Sequence, residues 1–416
     1  MAHPPSVDSL IKEISHVGLP HPMLADAVRQ AISNEDVNSS LEIAQNMAKA
    51  LLQPVINATG VLLHTNLGRA PLSFKYNANG PIRATNVEYD LIEGKRGSRR
   101  IHAASLLAKL CGAESALVVN NGASAVLLAL MTLASKKQVI ISRGELVEIG
   151  GGFRIPEVLE TSSAYLKEVG TTNKTRLVDY KKAIDNDTAL LLKVHKSNYK
   201  IIGFTQEVGI KELSSLNIPI LADLGSGLLD VNTPWLKNGP PKWLKGEPGV
   251  RQSLEDGASL VTFSTDKLLG GPQGGVIAGN KDLVEACATH PLARAVRPGS
   301  LILSALQEIA LLYLNKQANL IPFWQMSTLE IDELEQRAKN IGIGKILECS
   351  STPGGGSGPG MEIPSIGIAI EGNHLSKLRQ CQPPIIARVK DGWTVADLRT
   401  VDPQDDLILE NALKNC

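Results

Sequence analysis

From Pro54 onward, short runs of consecutive apolar residues recur along the chain: "ALVVN" (116–120), "QVIIS" (138–142), "ALLLKV" (189–194), "PILAD" (219–223) and "SLVTFS" (259–264). Stretches with helical spacing, such as "GASAVLLALMTLAS", separate them. Strands that are apolar without alternation are covered on both faces, so the pattern predicts an α/β fold with a mainly parallel central sheet between helix layers. Residues 7–53 read differently. "VDSLIKEI" and "NSSLEIAQNMAKALLQ" carry apolar residues three and four apart, which predicts two or three short helices, with "GLPHP" as a turn and Asn38 or Ser39 as a cap. A longer helix is expected at 300–315, able to bridge two lobes. Beyond the Gly, Ser and Pro-rich stretch 350–365, apolar runs resume at "IGIAI" (366–370) and "IIARVKDG" (385–392), which predicts a smaller C-terminal α/β domain. The expected organisation is a helical N-terminal segment (1–53), a large domain (54–298), and a bridging helix with a small domain (299–416).

Composition narrows the function classes. With 42 Lys+Arg against 42 Asp+Glu, net charge gives no reason to expect nucleic acid, so any such binding needs a local patch. Residues 7–53 are acidic, Lys12, Arg29 and Lys49 facing Asp8, Glu13, Asp26, Glu35, Asp36 and Glu42. A basic stripe lies instead within 69–100: Arg69, Lys75, Arg83, Lys95, Arg96, Arg99 and Arg100 against Glu88, Asp90 and Glu93. The longest apolar run, "AVLLALM" (125–131), is far short of a membrane span, and the N-terminus lacks the pattern of a secretory leader; a cytoplasmic protein without membrane contact is expected. The five cysteines are scattered, with no CxxC spacing and no metal-ligand grouping, and are expected to be reduced.

In an open parallel sheet, ligands sit outside the carboxyl ends of the strands. That rule gathers residues distant in sequence: Asn120, Asn121 and Gly122 after one strand, Asp223 ending another, Ser264, Thr265, Asp266 and Lys267 ending a third, and "HKSNY" (195–199) after a fourth. A helix entered through "NNGAS" offers free backbone N–H groups to a phosphate, and Ser124, Ser264 and Thr265 add hydroxyls. A carboxylate such as Asp223 suits a protonated pyridine nitrogen. A lysine bounded by "GGPQGG" can form a Schiff base, its amine made available by desolvation and nearby charge. Lysine, acid and phosphate cup together point to pyridoxal 5'-phosphate, with the glycines allowing close approach around Lys267.

These residues lie within longer stretches that resemble the bacterial selenocysteine synthases, the L-seryl-tRNA(Sec) selenium transferases of the fold-type I pyridoxal phosphate enzymes. The stretches are "PVINATGVLLHTNLGRAPLS" (54–73), "YDLIEGKRGSR" (89–99), "SRGELVEIGGGFRIPEV" (142–158), "EVGTTN" (168–173), "SNYKIIGFT" (197–205), "DLGSG" (223–227), "FSTDKLLGGPQGG" (263–275) and "LARAVRPGSLILSAL" (292–306), with "PPIIARVKDG" and "DLRTVDPQDD" nearer the C-terminus. The resemblance implies Lys267 as the Schiff-base lysine and general base at Cα, and Asp223 as the partner of the pyridine nitrogen. It implies β-elimination from L-seryl-tRNA(Sec) to an aminoacrylyl-tRNA, and addition of selenium from selenophosphate. It assigns Arg69, Arg294 and Arg297 to the phosphate-bearing donor, for which guanidinium forks suit better than lysine. Asn198 is a candidate for the cofactor's 3-hydroxyl; His64 and His195 could each stack on or hydrogen-bond to the cofactor or be satisfied structural residues, and His64 is left structural. A large homo-oligomer is also implied. The alternatives are a lyase of the same fold acting on a small phosphorylated amino acid or amino sugar acid, and a tRNA-binding protein with a vestigial cofactor site.

Overall fold

A computed structural model describes residues 6–73, 84–150, 152–199, 201–355 and 360–416. The chain forms two compact units, Met1–Ile56 with Leu375–Ile386, and Asn57–His374 with Ala387–Cys416.

In the first unit, helices α1 (Val7–Glu13), α2 (His21–Ser33) and α3 (Ser40–Ala50) bury Leu10, Ile11, Leu24, Ala27, Val28 and Ala44 in a small core of their own. The turn in "GLPHP" is made at Gly18, whose φ of 78° suits glycine, and α2 already begins at His21 with Pro22 in its first turn. Ser39 occupies the N-cap position of α3 but donates to Asp36 O (2.7 Å) instead of accepting from the helix. The second segment of the unit is tied on by Ile56 N, which donates to Pro384 O (2.8 Å).

The second unit is built on a seven-stranded sheet: β1 (Ser115–Val119), β2 (Gln138–Ser142), β3 (Tyr165–Val169), β4 (Thr188–Val194), β5 (Ile220–Gly225), β6 (Leu260–Ser264) and β7 (Gly275–Gly279). Its order is β1-β7-β6-β5-β4-β2-β3, and only β7 runs antiparallel to its neighbours. Five of these strands are the five apolar runs seen in the sequence. β3 is half exposed and β7 follows the glycine loop, so neither carries the long apolar signature. Helices α4 (Ala103–Cys111), α5 (Gly122–Leu133), α6 (Pro291–Ala295) and α7 (Ser300–Leu314) belong to this unit. The central strands β5, β6 and β7 are buried on both faces, Ala222, Val261, Phe263 and Val276 entering one core and Leu221, Leu260 and Ile277 the other. This is the two-sided burial that continuous apolar runs require.

A four-stranded antiparallel sheet follows, β8 (Lys345–Ser351), β9 (Ile363–Glu371), β10 (Arg388–Lys390) and β11 (Trp393–Asp397), in the order β8-β9-β11-β10. Asp397, fully buried, gathers its ends: it accepts from Ser351 Oγ, Ser365 Oγ and Arg388 Nη2 (3.0 Å). Among the described residues no helix is long and apolar enough to cross a membrane.

Candidate functional site

Strand register assembles the site. Asp223 on β5 lies opposite Val194 of β4 on one side and Thr262 of β6 on the other; Ser264 at the end of β6 lies opposite Gly275 of β7, which lies opposite Val119 of β1. The carboxyl ends of β1, β4, β5 and β6 therefore form one rim, where the sheet rule places a ligand. At β7 the chain enters this rim so closely that a Cβ on Gly275 would overlap the backbone carbonyl of Asn121. A Cβ on Gly122 would stand 2.5 Å from Ser264 Oγ. These two glycines let the start of α5 and the end of β6 touch, bringing together Asn121, Gly122 and Ser264.

Asn121 caps α5: its Oδ1 accepts from Ser124 N (2.8 Å). Gly122 and Ala123, ahead of that bond, keep the unpartnered N–H groups of any helix start. Thr265 is fully buried and its hydroxyl donates to Pro272 O (2.5 Å), so its one hydrogen holds the glycine loop together. Ser264 remains at the rim, 8% exposed.

Lys267 is 5% exposed. Its Nζ is 3.6 Å from the position a Cβ would take on Gly225, two residues beyond Asp223. Burial, reinforced by the Arg69 guanidinium, holds its ammonium well below the ordinary lysine range; Asp223, Asp266 and Glu247 pull the other way. Asp223 is also 5% exposed, and burial pushes its carboxyl up to about 6 against the hydrogen bond that Thr262 Oγ1 donates to its Oδ1 (2.9 Å), with Lys267 and His195 also favouring the anion. A buried amine easily freed of its proton and a buried carboxyl poised to ionise beside a cation thus share one pocket.

Arg69 reaches the same place from the segment before the sheet. Its Nη1 donates to Asp266 Oδ2 (2.7 Å), and Ala70 N donates to Asp266 O (3.2 Å), so "NLGRAP" is clamped to the residue preceding Lys267. Arg69 adopts φ 65°, an uncommon left-handed conformation for a residue with a Cβ, and its side chain stays 31% exposed. The other two arginines lie apart. Arg297 pairs with Glu88 (2.9 Å), which also accepts from Arg99 (2.6 Å) and Arg96 (3.3 Å). Arg294 on α6 is exposed. The loop that carries them is drawn to the rim through its backbone, Asn120 N donating to Val296 O (2.9 Å), but among the described residues no contact joins either arginine to Lys267 or Arg69. Asn198 is exposed and its amide donates to Glu148 O (2.8 Å). His64 Nδ1 is buried without a partner. Within the basic stripe, Arg96 and Arg99 are paired with Glu88, Arg100 with Glu285 and Lys95 with Glu93, while Lys75 and Arg83 lie outside the described residues.

Three contributors carried no sequence signal beyond a polar residue in an apolar setting. Thr262 orients Asp223 from the neighbouring strand. Glu247, 4% exposed, stands in the field of Lys267. Tyr313 of α7 donates to Leu269 O (2.8 Å) and accepts from Trp324 Nε1 (2.6 Å), fixing the turn that follows Lys267.

A family model described as L-seryl-tRNA selenium transferase matches residues 55–402. The chain belongs to this family. Among its curated relatives are L-seryl-tRNA(Sec) selenium transferases of Moorella thermoacetica (46% identical, 88% of this chain and 82% of that one) and of Alkaliphilus metalliredigens (41%, 99% and 97%). That of Aquifex aeolicus is 44% identical over 91% and 88% of the two chains. Among solved structures, D-glucosaminate-6-phosphate ammonia-lyase is similar with a TM-score of 0.61 and 20% identity, covering 90% of this chain and 97% of that one, which shows the fold. Membership in the selenium transferase family accords with the fold-type I α/β architecture expected from the apolar strand pattern and the motifs.

Proposed function

We propose that this chain converts L-seryl-tRNA(Sec) to L-selenocysteinyl-tRNA(Sec) with selenophosphate as donor, using pyridoxal 5'-phosphate held at the rim. The observation that carries the reading is Lys267, buried with a depressed proton affinity between the Arg69–Asp266 pair and Asp223. The donor set fits the cofactor: Lys267 for its aldehyde, Asp223 for a protonated ring nitrogen, and Ser264, Gly122 and the open N-terminus of α5 for its phosphate. Asn121 and Ser124 shape that helix start, and Thr265 keeps the loop closed behind it. Asn198 is the assigned donor to the ring hydroxyl, through the amide hydrogen not given to Glu148 O.

Bound there, pyridoxal phosphate supplies an electron sink that acidifies the serine Cα. The residues of the chain do the rest. Lys267 Nζ, whose proton affinity burial and Arg69 lower, accepts the Cα proton and returns it later in turnover. Thr262 holds Asp223 in the orientation in which its carboxylate meets a cationic ring. Arg69, anchored by one nitrogen to Asp266 and partly exposed, presents its fork to the phosphate of selenophosphate, with Arg294 and Arg297 assigned to the same anion. In the net exchange, the Cβ–O bond breaks and the β-hydroxyl leaves as water, the selenium of selenophosphate bonds to the β-carbon, and water cleaves the Se–P bond to release phosphate.

The lyase alternative is disfavoured: relatives at 41–46% identity are named selenium transferases, whereas the phosphosugar lyase shares 20% identity and only the fold. A cytoplasmic homo-oligomer, with tRNA bound partly by the N-terminal unit, completes the proposal. The test is a single-turnover assay with seryl-tRNA(Sec) and selenophosphate, comparing the parent with Lys267→Ala and analysing the aminoacyl group released. Selenocysteine from the parent alone supports the reading. A parent that binds pyridoxal phosphate but leaves seryl-tRNA unbound and unconverted refutes it.

A further inference from the structure

At the end of β4, His195 meets two acids. Its backbone N–H donates to the carbonyl of Asp223 (2.9 Å), which fixes the start of "HKSNY" against β5. Its Nε2 is buried, out of line for any hydrogen bond, and 3.4 Å from Glu247 Oε2. Glu247 comes from the loop before the helix Val250–Glu255, and its side chain is 2% exposed against 21% for His195. A buried acid side chain 3.4 Å from a buried imidazole nitrogen restrains the ring. The same carboxylate belongs to the group of charges around Lys267, which are Arg69 on one side and Asp223, Asp266 and Glu247 on the other. His195 in turn faces Asp223, Glu247 and Glu207. None of this is implied by the strand-end pattern that located Lys267 and Asp223.

We propose that Glu247 is a positioning residue, its buried carboxylate holding the His195 imidazole against the Asp223 end of the site while standing among the charged groups that surround Lys267. The inference rests on the reading of Lys267 as the cofactor-bearing lysine, but its consequences are present in the full chain without cofactor. A carboxylate lost from the surroundings of a buried amine removes a term favouring the ammonium, so Glu247→Gln lowers the pH at which Lys267 gives up its proton. The same substitution frees the imidazole, and His195 becomes several-fold more reactive.

The experiment is competitive acetylation of Lys267 across pH and diethyl pyrocarbonate modification of His195 at one pH. Both are read by peptide mass spectrometry on the full-length parent, Glu247→Gln and Glu247→Asp, without cofactor and again with pyridoxal phosphate added. The expected result is a lower Lys267 midpoint and faster His195 modification in Glu247→Gln, both returning toward the parent in Glu247→Asp, which keeps the charge. A Glu247→Gln chain in which either quantity is unchanged overturns the proposal, as does a Glu247→Asp chain that behaves like Glu247→Gln. Failure of the parent to protect Lys267 when pyridoxal phosphate is added sinks the cofactor reading instead, and is seen separately from the variant comparison.

Discussion

Asp223→Asn isolates the electrostatic character of the site. The substitution keeps an oxygen able to accept from Thr262 Oγ1 and changes the volume little, so it removes chiefly the titratable charge. In the cofactor-free chain, burial raises the carboxyl from 3.8 to about 6, whereas the unfolded chain releases the same proton at about 3.9. Between those values the folded chain binds more protons than the unfolded one, so stability contributed by this group is present at low pH and falls as pH rises through the window. A rise to about 6 corresponds to about 2 kcal/mol lost between pH 4 and 7, on the order-of-magnitude scale that applies to a buried acid. The variant has no such term. Guanidinium unfolding of cofactor-free parent and variant at several pH values between 4 and 7 should show the variant gaining on the parent as pH rises, by about 2 kcal/mol across the range. With pyridoxal phosphate added the order should invert, because the cofactor stabilises the parent through the carboxylate that the variant lacks. A stability difference that stays constant or shrinks over this range would refute the account of Asp223 as a carboxyl whose proton affinity is raised by burial.

Two further outcomes follow from the loop around Lys267. Gly275→Ala places a Cβ against the backbone of Asn121, which cannot rotate away, and should destabilise the chain by about 3 kcal/mol, the upper part of the overpacking range, measured as a drop in the denaturant midpoint. Tyr313→Phe leaves Leu269 O and Trp324 Nε1 without their buried partner and should lower stability by about 1–3 kcal/mol; an unchanged midpoint would show that the hydroxyl is dispensable for the turn after Lys267.

The sequence by itself determined the strands of the central sheet and which of its rims to look at. Strands buried on both faces must be apolar throughout, and the five runs from 116 to 264 reappear as β1, β2, β4, β5 and β6 with ends moved by at most two residues. That Lys267 and Asp223 come close to each other was legible because residues at the carboxyl ends of parallel strands share a rim whatever the loops do. The same logic could not find β7, which follows a glycine loop and reverses direction, nor the half-exposed β3.

Tertiary structure decided everything that depends on which side chain faces which. Thr262 supports Asp223 only because register sets them opposite each other across 39 positions of sequence. Arg69 and Asp266, 197 positions apart, form their pair because the segment before the sheet folds back over the lysine loop. Thr265, a hydroxyl like Ser264 in composition, is turned into the loop toward Pro272 O, while Arg297 is engaged by Glu88. Local sequence fixes periodicity, and periodicity fixes strands and their ends. Hydrogen-bond partners and buried charges are set by distances through space, which no local pattern encodes.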